Sequence, residues 1–340
     1  MTAHLPPDHP PVKSRKIGVL LLNLGTPDGT DYWSVRRYLK EFLSDPRVIE
    51  TPKWLWWPIL NLGILSFRPQ KTGANYAKIW DKRTNESPLR VITRGQAEKL
   101  QEAMASDGVI VEYGMRYGNP STESAIQKLH EQGCDKILLF PLYPQYSATT
   151  TATANDQAFR ALASMRWQPA VRTVPAYFGD DVYVETLARS IKEGVEKLDF
   201  EPDLVITSYH GMPKSYLEKG DPYHCQCHKT TRLVREKLGW PKEKIMLTFQ
   251  SRFGPTEWLQ PYTDETLKAL PGKGIKKVAI LAPAFSADCI ETLEEIAIGG
   301  EEEFMHAGGE RYAYIPCLND TPDGMAMIEN VVRRELSGWL

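Results

Sequence analysis

The amino-acid sequence predicts an α/β protein with two halves, each built on a parallel sheet that helices cover on both faces. Short apolar runs typical of buried strands alternate with segments of helical periodicity, and this order favours parallel strands joined by crossover helices. The chain has 340 residues, which is enough for two domains. We assign residues 15–172 to an N-terminal domain and 173–319 to a C-terminal domain, and we expect the last helix, within 320–340, to pack back onto the N-terminal domain.

The individual elements follow from local patterns. An apolar run over 17–24 predicts a buried strand, and Asp31 is placed to cap the helix that follows it. The first half then continues with strand 109–117, helix 121–132, strand 136–143 and strand 171–175. The second half comprises helix 182–198, strand 204–208, helix 230–238, strands 245–249 and 278–283, a helix from about residue 288, strand 312–316 and helix 325–336.

Charge and cysteine content exclude several classes of protein. Lys and Arg number 41 and Asp and Glu number 43, so the net charge of −2 argues against a nucleic-acid partner. Five cysteines in a chain of this length do not indicate a disulfide framework, and the N-terminal residues lack the apolar core of a secretory signal. We therefore expect a cytoplasmic protein.

Three common catalytic motifs are absent from the sequence. The first strand leads into Asn23-Leu24-Gly25-Thr26-Pro27 instead of a glycine-rich dinucleotide turn, which Pro27 does not fit. The phosphate-binding G-x-x-x-x-G-K-[ST] loop and the G-x-S-x-G nucleophile elbow are also missing. The sequence therefore gives no support to a nicotinamide oxidoreductase, a P-loop enzyme or a serine hydrolase.

Polar and aromatic residues follow six of the predicted strands. Open α/β sheets bind ligands outside the carboxyl ends of their strands, so these clusters predict a cleft between the two halves. Loop capping is the alternative for any single cluster. The clusters are Asn23, Met115-Arg116-Tyr117, Pro144-Gln145-Tyr146-Ser147, Ser208-Tyr209-His210-Gly211, Gln250-Ser251-Arg252 and Phe285-Ser286-Ala287-Asp288.

His210 and an acidic helix are the candidate reactive groups of this cleft. An imidazole at a strand end can accept a proton near neutral pH or bind a borderline metal ion, whereas the alternative is a half-buried histidine that bonds the backbone. Asp288, Glu291 and Glu295 are spaced to share one face of an α-helix, which suits proton removal or cation handling. A solvated acidic face is the alternative for this helix.

A second candidate site is the run His224-Cys225-Gln226-Cys227-His228. Two thiols and two imidazoles within five positions are typical of a metal site, but the spacing is C-x-C and no second cysteine pair lies nearby. Free thiols at a loop–helix junction are therefore the favoured interpretation. An iron–sulfur or zinc site at Cys225 and Cys227 that draws on Cys134 or Cys317 is the weaker one.

These features occur in motifs that resemble the ferrochelatase family, in matching order from about Lys16 to the last helix. The first-half motifs are Leu21-Leu22-Asn23-Leu24-Gly25-Thr26-Pro27, Gly114-Met115-Arg116-Tyr117 and Pro141-Leu142-Tyr143-Pro144-Gln145-Tyr146-Ser147. The second-half motifs are Ser208-Tyr209-His210-Gly211-Met212-Pro213, Gly220-Asp221-Pro222-Tyr223, Gln250-Ser251-Arg252, Trp258-Leu259 and Asp288-Cys289-Ile290-Glu291-Thr292-Leu293.

The resemblance implies two Rossmann-like domains with a porphyrin cleft between them. It implies insertion of Fe²⁺ into protoporphyrin IX to form protoheme with release of two protons, so iron is a substrate and no prosthetic group is required. By motif match, His210 and Glu291 bind iron and carry catalysis, and Asp288 and Glu295 form a conduit for protons or metal. The residues implied to line the porphyrin pocket are Leu24, Arg116, Tyr117, Tyr146, Ser147, Trp258 and Phe285.

The segment from Trp54 to Leu65 falls where the family has a hydrophobic lip over the pocket mouth. The segment is too short to span a bilayer and contains Pro58 and Asn61, but it can lie on a membrane surface. A buried core segment is the alternative. The resemblance thus implies peripheral contact with the inner membrane.

Two positions depart from the family pattern. Cys289 stands where many members have His, which resembles the Gram-negative bacterial type, and Gly299 stands where the acidic face often continues. Two alternative functions stay open from the sequence. One is a tetrapyrrole-binding protein without catalysis, and the other is a chelatase that uses another metal or coproporphyrin.

Overall fold

A computed structural model describes residues 6–9 and 15–340. Two four-stranded sheets, each with all of its strand pairs parallel, confirm the predicted α/β class. The first sheet, in the order β2-β1-β3-β4, contains β1 (Lys16–Thr26), β2 (Val109–Gly118), β3 (Cys134–Pro141) and β4 (Ala170–Thr173). The second, in the order β6-β5-β7-β8, contains β5 (Leu204–His210), β6 (Ile245–Gln250), β7 (Lys277–Leu281) and β8 (Arg311–Tyr314).

Helices cover these sheets. The α-helices are α1 (Tyr32–Leu43), α2 (Lys53–Pro58), α3 (Leu65–Ile79), α4 (Pro88–Ala103), α5 (Thr122–Glu131), α6 (Thr153–Ala163), α7 (Asp181–Glu196), α8 (Lys214–Glu218), α9 (Tyr223–Leu238), α10 (Thr263–Ala269), α11 (Glu301–His306) and α12 (Pro322–Glu335). Segments of π-helix occupy Ile59–Ile64, Ala148–Ala152 and Glu291–Gly300, and short 3₁₀ turns occupy Ala105–Asp107, Lys242–Lys244 and Pro271–Lys273.

Local sequence explains where several helices begin. Asp31 is the N-cap of α1, because its carboxylate accepts hydrogen bonds from the amides of Trp33 and Ser34. The predicted cap is thus confirmed. Ser121 caps α5 in the same manner, with its hydroxyl accepting from the amide of Ser124.

The structure also contains helices that the apolar pattern does not predict, above all α3, α4 and α6. The buried face of α4 includes Arg90, Thr93 and Gln96, which weakens the apolar periodicity by which a helix is recognised. The helix expected from about residue 288 instead begins at Ile290, and its next ten residues form a π-helix before α11.

Each sheet reverses its strand order beside its first strand. In both halves the first strand lies inside the sheet, with the second strand on one side and the third on the other. Such an arrangement leaves a crevice at the carboxyl ends of the two inner strands, which are β1 and β3 in the first half and β5 and β7 in the second. The loops that follow these four strands therefore hold the candidate site.

A shared hydrophobic core joins the two halves. Its largest cluster combines Val19 and Leu138 of the first sheet with Val205 and Ala279 of the second. Helix α12 packs against both α4 and α7, so the end of the chain contacts a helix that precedes residue 172. The domain boundaries themselves stay a prediction.

Candidate active site between the two halves

His210 is the last residue of β5 and pairs in register with Gln250 of β6. Its Nδ1 atom lies 2.7 Å from the carbonyl oxygen of Gly211. Because a carbonyl can only accept, Nδ1 must carry the hydrogen, and the lone pair of Nε2 is left available. The hydrogen bond to the backbone, which the alternative interpretation of His210 predicts, is therefore present. This bond also orients the imidazole so that Nε2 can act as a base or bind a metal ion.

Gly211 keeps the backbone close beside this imidazole. A Cβ atom at this position would lie 2.7 Å from the carbonyl oxygen of Gln250 and 3.1 Å from Cε3 of Trp258. The amide of Gly211 donates to that same carbonyl at 2.7 Å. A larger residue would push β5 and β6 apart at the position where His210 and Gln250 face each other.

Glu295 is held next to His210 by the loop that follows β6. The amide of Ser251 donates to Glu295 Oε1 at 2.7 Å, and the Ser251 hydroxyl donates to Oε2. Burial raises the pKa of Glu295, while the Ser251 hydrogen bonds and the imidazole of His210 act to lower it. The carboxylate and the imidazole are thus close enough for the charge of one to influence the other.

Glu291 is the first residue of the π-helix and faces tyrosine and thiol groups. Burial together with the charge of Glu291 raises the pKa of the Cys289 thiol well above its usual range, so this carboxylate acts on the thiol. Burial and the same charge also raise the pKa of Tyr76 on α3. Gln250 donates to the backbone carbonyl of Glu291 at 2.8 Å, which fixes the helix start against β6.

Asp288 does not share the face of Glu291 and Glu295, so the predicted row of three carboxylates is wrong at its first member. Asp288 precedes the helix and is buried. Its oxygens accept hydrogen bonds from Tyr314 Oη at 2.6 Å and from Asn319 Nδ2 at 2.6 Å. The i, i+3, i+7 rule assumed an α-helix from residue 288, whereas the helix begins later and is wound as a π-helix.

Leu24 of the first half and Phe285 of the second half pack against the same apolar cluster at the carboxyl ends of their strands. Leu24 lies near the end of β1 and Phe285 follows β7, and both pack against one cluster that contains Leu89, Ala287 and Cys289. Leu24 also packs against the cluster that contains Tyr117, residues of α1, and the buried Leu60 and Leu65. An apolar wall therefore runs from these residues to the thiol of Cys289.

Arg116 is bound within the protein by a partner that the sequence did not suggest. Its Nη2 donates to Asp45, whose side chain is only 2% exposed, and its Nε donates to Thr153 Oγ1 at 2.6 Å. The hydroxyl of Tyr117 donates to the same Asp45 oxygen at 2.8 Å. Although burial alone would raise it, the pKa of Asp45 is lowered by hydrogen bonds from Thr153, Arg47 and Tyr117 and by the charge of Arg116.

Ser147 and Tyr146 lie in a clamp between the halves. The Ser147 hydroxyl donates to Asp221 Oδ2 at 2.9 Å, and the Tyr146 amide donates to Gln226 Oε1 at 2.7 Å. Gln145 adds a bond to Thr230 at 3.0 Å. We call these contacts between residues 145–148 and residues 221–230 the interdomain clamp. Ser147 is fully buried in it, so its hydroxyl is used structurally.

Several unpartnered polar atoms lie near the cleft, and two of them are on aromatic side chains. Trp258 Nε1 and the Tyr143 hydroxyl are buried without a hydrogen-bond partner among the described residues. Burial raises the pKa of Tyr143 well above its usual range, and Tyr117 and Glu291 act on it from opposite halves. The sequence reasoning missed Tyr143 as a site residue, although it stands in a motif that follows the third strand.

The cysteines give little support to a bound cluster. Cys225 is exposed and Cys227 is buried, and the two are separated by one residue on α9, so their thiols point to different sides. Within residues 6–9 and 15–340, no three His, Cys, Asp or Glu side chains are grouped so that they could hold a metal ion.

The segment from Trp54 to Leu65 is partly surface and partly core. Trp54 is 79% exposed and Trp57 62%, whereas Leu60 and Leu65 are buried and Trp56 Nε1 donates to the carbonyl of Leu43 at 2.7 Å. We call the exposed part of this segment the lip, which consists of Trp54, Leu55, Trp57, Ile59 and Leu62; Phe67, just beyond it on α3, is also exposed. In the part of the chain that the structure describes, no helix is long and apolar enough to cross a membrane.

The ion pair between Lys78 and Glu294 connects α3, which follows the lip, to the π-helix. Lys78 Nζ donates to Glu294 Oε1 at 2.8 Å, and α3 packs along the π-helix. Glu294 therefore touches the opposite half and is not a neutral surface residue.

Comparison of the sequence with known proteins shows which family it is similar to. The family profile of ferrochelatase matches residues 16–336. A ferrochelatase from Allorhizobium ampelinum is 61% identical over 338 residues, covering 99% of this chain and 98% of the relative. A ferrochelatase from Mesorhizobium japonicum is 60% identical over 333 residues, covering 98% of this chain and 94% of the relative.

A solved structure shares the fold at low sequence identity. SirB from Bacillus subtilis with Fe³⁺ superimposes with a TM-score of 0.56 at 13% identity, covering 95% of this chain and 98% of that chain. Such a likeness bears on the fold alone, and it supports two Rossmann-like domains of the chelatase type.

Proposed function

The chain belongs to the ferrochelatase family and inserts ferrous iron into protoporphyrin IX, and we propose that His210 and Glu291 carry the metal and proton transfers of this reaction. The observation that supports this assignment most strongly is the imidazole of His210, whose Nδ1 hydrogen is fixed by Gly211 and whose Nε2 is free. Its charge acts on the half-buried carboxylate of Glu295, which lies on the π-helix that begins at Glu291.

Insertion of the metal must remove two protons from the pyrrole nitrogens. A neutral imidazole with one free lone pair accepts a proton readily near pH 7, and a neighbouring carboxylate stabilises the imidazolium that forms. We assign the first role to His210 and the second to Glu295. The two donors from Ser251 hold Glu295 in place for this.

Glu291 suits a ligand that delivers iron. Imidazole nitrogen and carboxylate oxygen are both good ligands for Fe²⁺, which enters here as a substrate. Glu295 is bound by two donors from Ser251, whereas the group near the carboxylate of Glu291 is the thiol of Cys289, a weak donor. Glu291 is therefore the carboxylate that exchanges its partner for a metal ion at lower cost.

The porphyrin is proposed to lie in the cleft between Leu24 and Phe285. A planar macrocycle shields its nitrogen lone pairs, so a pocket that holds it distorted favours metal entry. Leu24, Phe285 and Trp258 offer apolar surfaces from both halves, and Tyr146 adds an aromatic ring beside the clamp. Because Asp45 already neutralises Arg116, we assign Arg116 and Tyr117 to the shape of the pocket wall and not to a propionate's counter-charge.

The lip is proposed to contact the cytoplasmic face of the inner membrane. Trp54, Trp57 and Phe67 expose large apolar surfaces, and Lys53, Arg68 and Lys71 provide positive charge in the same stretch. Aromatic and basic residues together favour the interface of an anionic bilayer. Protoporphyrin is poorly soluble in water, so such a contact would let the substrate enter the cleft directly from the lipid.

A turnover experiment tests catalysis against mere binding. Protein at low concentration is mixed anaerobically with an excess of Fe²⁺ and protoporphyrin, and haem is followed by absorbance. We expect many equivalents of haem per chain. Formation of a single equivalent would instead indicate a binding protein. Steady-state rates with coproporphyrin, and with Co²⁺ in place of Fe²⁺, measure the preference for each substrate.

A further inference from the structure

Two histidines on α9 lie side by side outside the active site. His224 and His228 are four residues apart on one face of the helix, and their ring centroids are 4.4 Å apart. No nitrogen of either ring makes a hydrogen bond to any residue that the structure describes. The two imidazoles thus present unpartnered nitrogens at one place.

The surroundings orient both rings and favour their neutral form. His224 stacks on Phe249 with ring centroids 5.9 Å apart, and His228 contacts the same ring at 6.4 Å. Partial burial lowers the pKa of His224, and burial together with His224 lowers the pKa of His228. The neutral form of imidazole is the one that binds metal ions.

We propose that His224 and His228 together bind one divalent transition-metal ion of the Zn²⁺ class, with water completing its coordination. Two histidines at i and i+4 on a helix are a known arrangement for a shared zinc ion. With zinc–nitrogen bonds of about 2.1 Å, the centroids of two rings on one tetrahedral ion lie about 5 Å apart, close to the separation seen here. No third protein ligand joins them among the described residues.

This site differs from the catalytic one in its residues and in its effect. The same helix carries Gln226 and Thr230, which hold Tyr146 and Gln145 of the first half in the interdomain clamp. A metal ion that bridges His224 and His228 ties together two turns of α9, because it binds only the helical form of this segment. Binding of the metal ion should therefore be saturable, and it should also stabilise the folded protein.

Equilibrium dialysis with Zn²⁺ and no porphyrin tests the proposal in the full chain. A His210→Ala background removes the catalytic imidazole, and we expect it to retain one Zn²⁺ per chain and to show a higher midpoint of thermal unfolding with the metal. Adding His224→Gln and His228→Gln should abolish both effects, while circular dichroism reports whether α9 stays folded. Equal Zn²⁺ binding before and after these two changes would overturn the proposal.

Two control variants separate the imidazole pair from other surface ligands. His306→Ala removes an exposed histidine elsewhere, and Cys225→Ser removes the exposed thiol that lies between the two histidines in the sequence. Both controls should keep the bound Zn²⁺. Loss of the metal in Cys225→Ser would show that the site depends on the thiol, which contradicts a site made of two imidazoles. Bound Zn²⁺ and the midpoint of thermal unfolding are measured without porphyrin, so a variant that has lost catalysis can still be tested for metal binding.

Discussion

The two halves of the molecule share one strand order but present different chemistry at the same edge. Both sheets place their first strand between the second and the third. The edge of the first half carries Leu24, Tyr117 and the buried pair of Asp45 and Arg116, whereas the edge of the second half carries His210, whose charge acts on the carboxylate of Glu295. In the proposed mechanism one topology thus provides a wall for a flat ligand and, opposite it, a set of groups for protons and metal.

The difference shows that reactivity here depends on what each loop leaves unpaired. At the edge of the first half the charge of Arg116 is compensated within the protein, because its guanidinium donates hydrogen bonds to Asp45 and Thr153. In the second half the imidazole of His210 keeps a free nitrogen. Variants that disturb the two edges should therefore fail in different measurements.

The largest effect is expected from His210→Ala, which removes the free nitrogen of the second half. Loss of a general base typically lowers a rate by about 10² to 10⁴. Iron insertion should fall by that factor, while porphyrin binding measured by quenching of tryptophan fluorescence stays near the wild-type value. Rates close to wild type would remove His210 from the mechanism, and His306→Ala serves as the control.

A large effect of another kind is expected from Asp45→Asn, which leaves Arg116 buried without its counter-charge. Breaking such a pair costs about 3 kcal/mol in the free energy of unfolding. The KM for porphyrin should rise while the KM for Fe²⁺ stays constant. Asp156→Asn is the matched control, because its pair with Arg47 is exposed and is worth less than about 1 kcal/mol.

The stability difference between wild type and Asp45→Asn should also depend on pH. The pKa of Asp45 is held below its ordinary value of 3.8, so the carboxylate stabilises the folded state fully above that pH. As the pH falls below 3.8, the unfolded state takes up the proton first and the advantage of the wild type shrinks. Urea unfolding at a series of pH values measures this, and a constant difference would contradict the charge argument.

A smaller effect is expected from Glu291→Gln, which keeps the volume and removes the charge. We expect a fall of about tenfold in kcat/KM for Fe²⁺, equivalent to about 1.4 kcal/mol. Glu302→Gln on α11 is the control, since Glu294 contacts Lys78 across the cleft and would not be neutral. Equal rates of the Glu291 and Glu302 variants would show that the charge of Glu291 is not used.

The smallest effect is expected from the lip of the first half. Replacing Trp54 and Trp57 with Ser should weaken binding to anionic vesicles and raise the KM for porphyrin a few-fold, without changing the Fe²⁺ dependence. Binding should also weaken as salt is added, because each basic residue contributes about 1 kcal/mol. Trp167→Ser, at an exposed position outside the lip, is the control. A defect confined to the Fe²⁺ dependence would contradict the lip assignment.

Sequence reasoning located the strands and the strand-end residues because both depend on local patterns. Buried strands read as apolar runs, and the carboxyl ends of parallel strands meet at one edge whatever the details of packing. His210 and Phe285 were found in this way. The helices α3 and α4 were missed, because their buried faces include polar residues or prolines.

The pairing of distant polar groups could not be read from the sequence. Asp45 and Arg116 are 71 positions apart, and Ser147 and Asp221 are 74 apart, so no local spacing connects them. Each contact uses a side chain, Arg116 or Ser147, that the family resemblance implies for the porphyrin pocket. The start of the helix at Ile290, which leaves Asp288 outside it, and the π-winding that begins at Glu291 are likewise not given by the apolar period.

The π-helix over Glu291–Gly300 limits how this chain can vary through evolution. Each of its hydrogen bonds closes over one residue more than in an α-helix, so loss of a single residue here would return the segment to ordinary winding. Such a deletion would rotate the residues that follow it relative to Glu291, whereas a substitution at residue 289 leaves the winding intact. Inherited changes in this stretch are therefore expected to preserve its length, and to exchange residues more freely at positions other than Glu291 and Glu295.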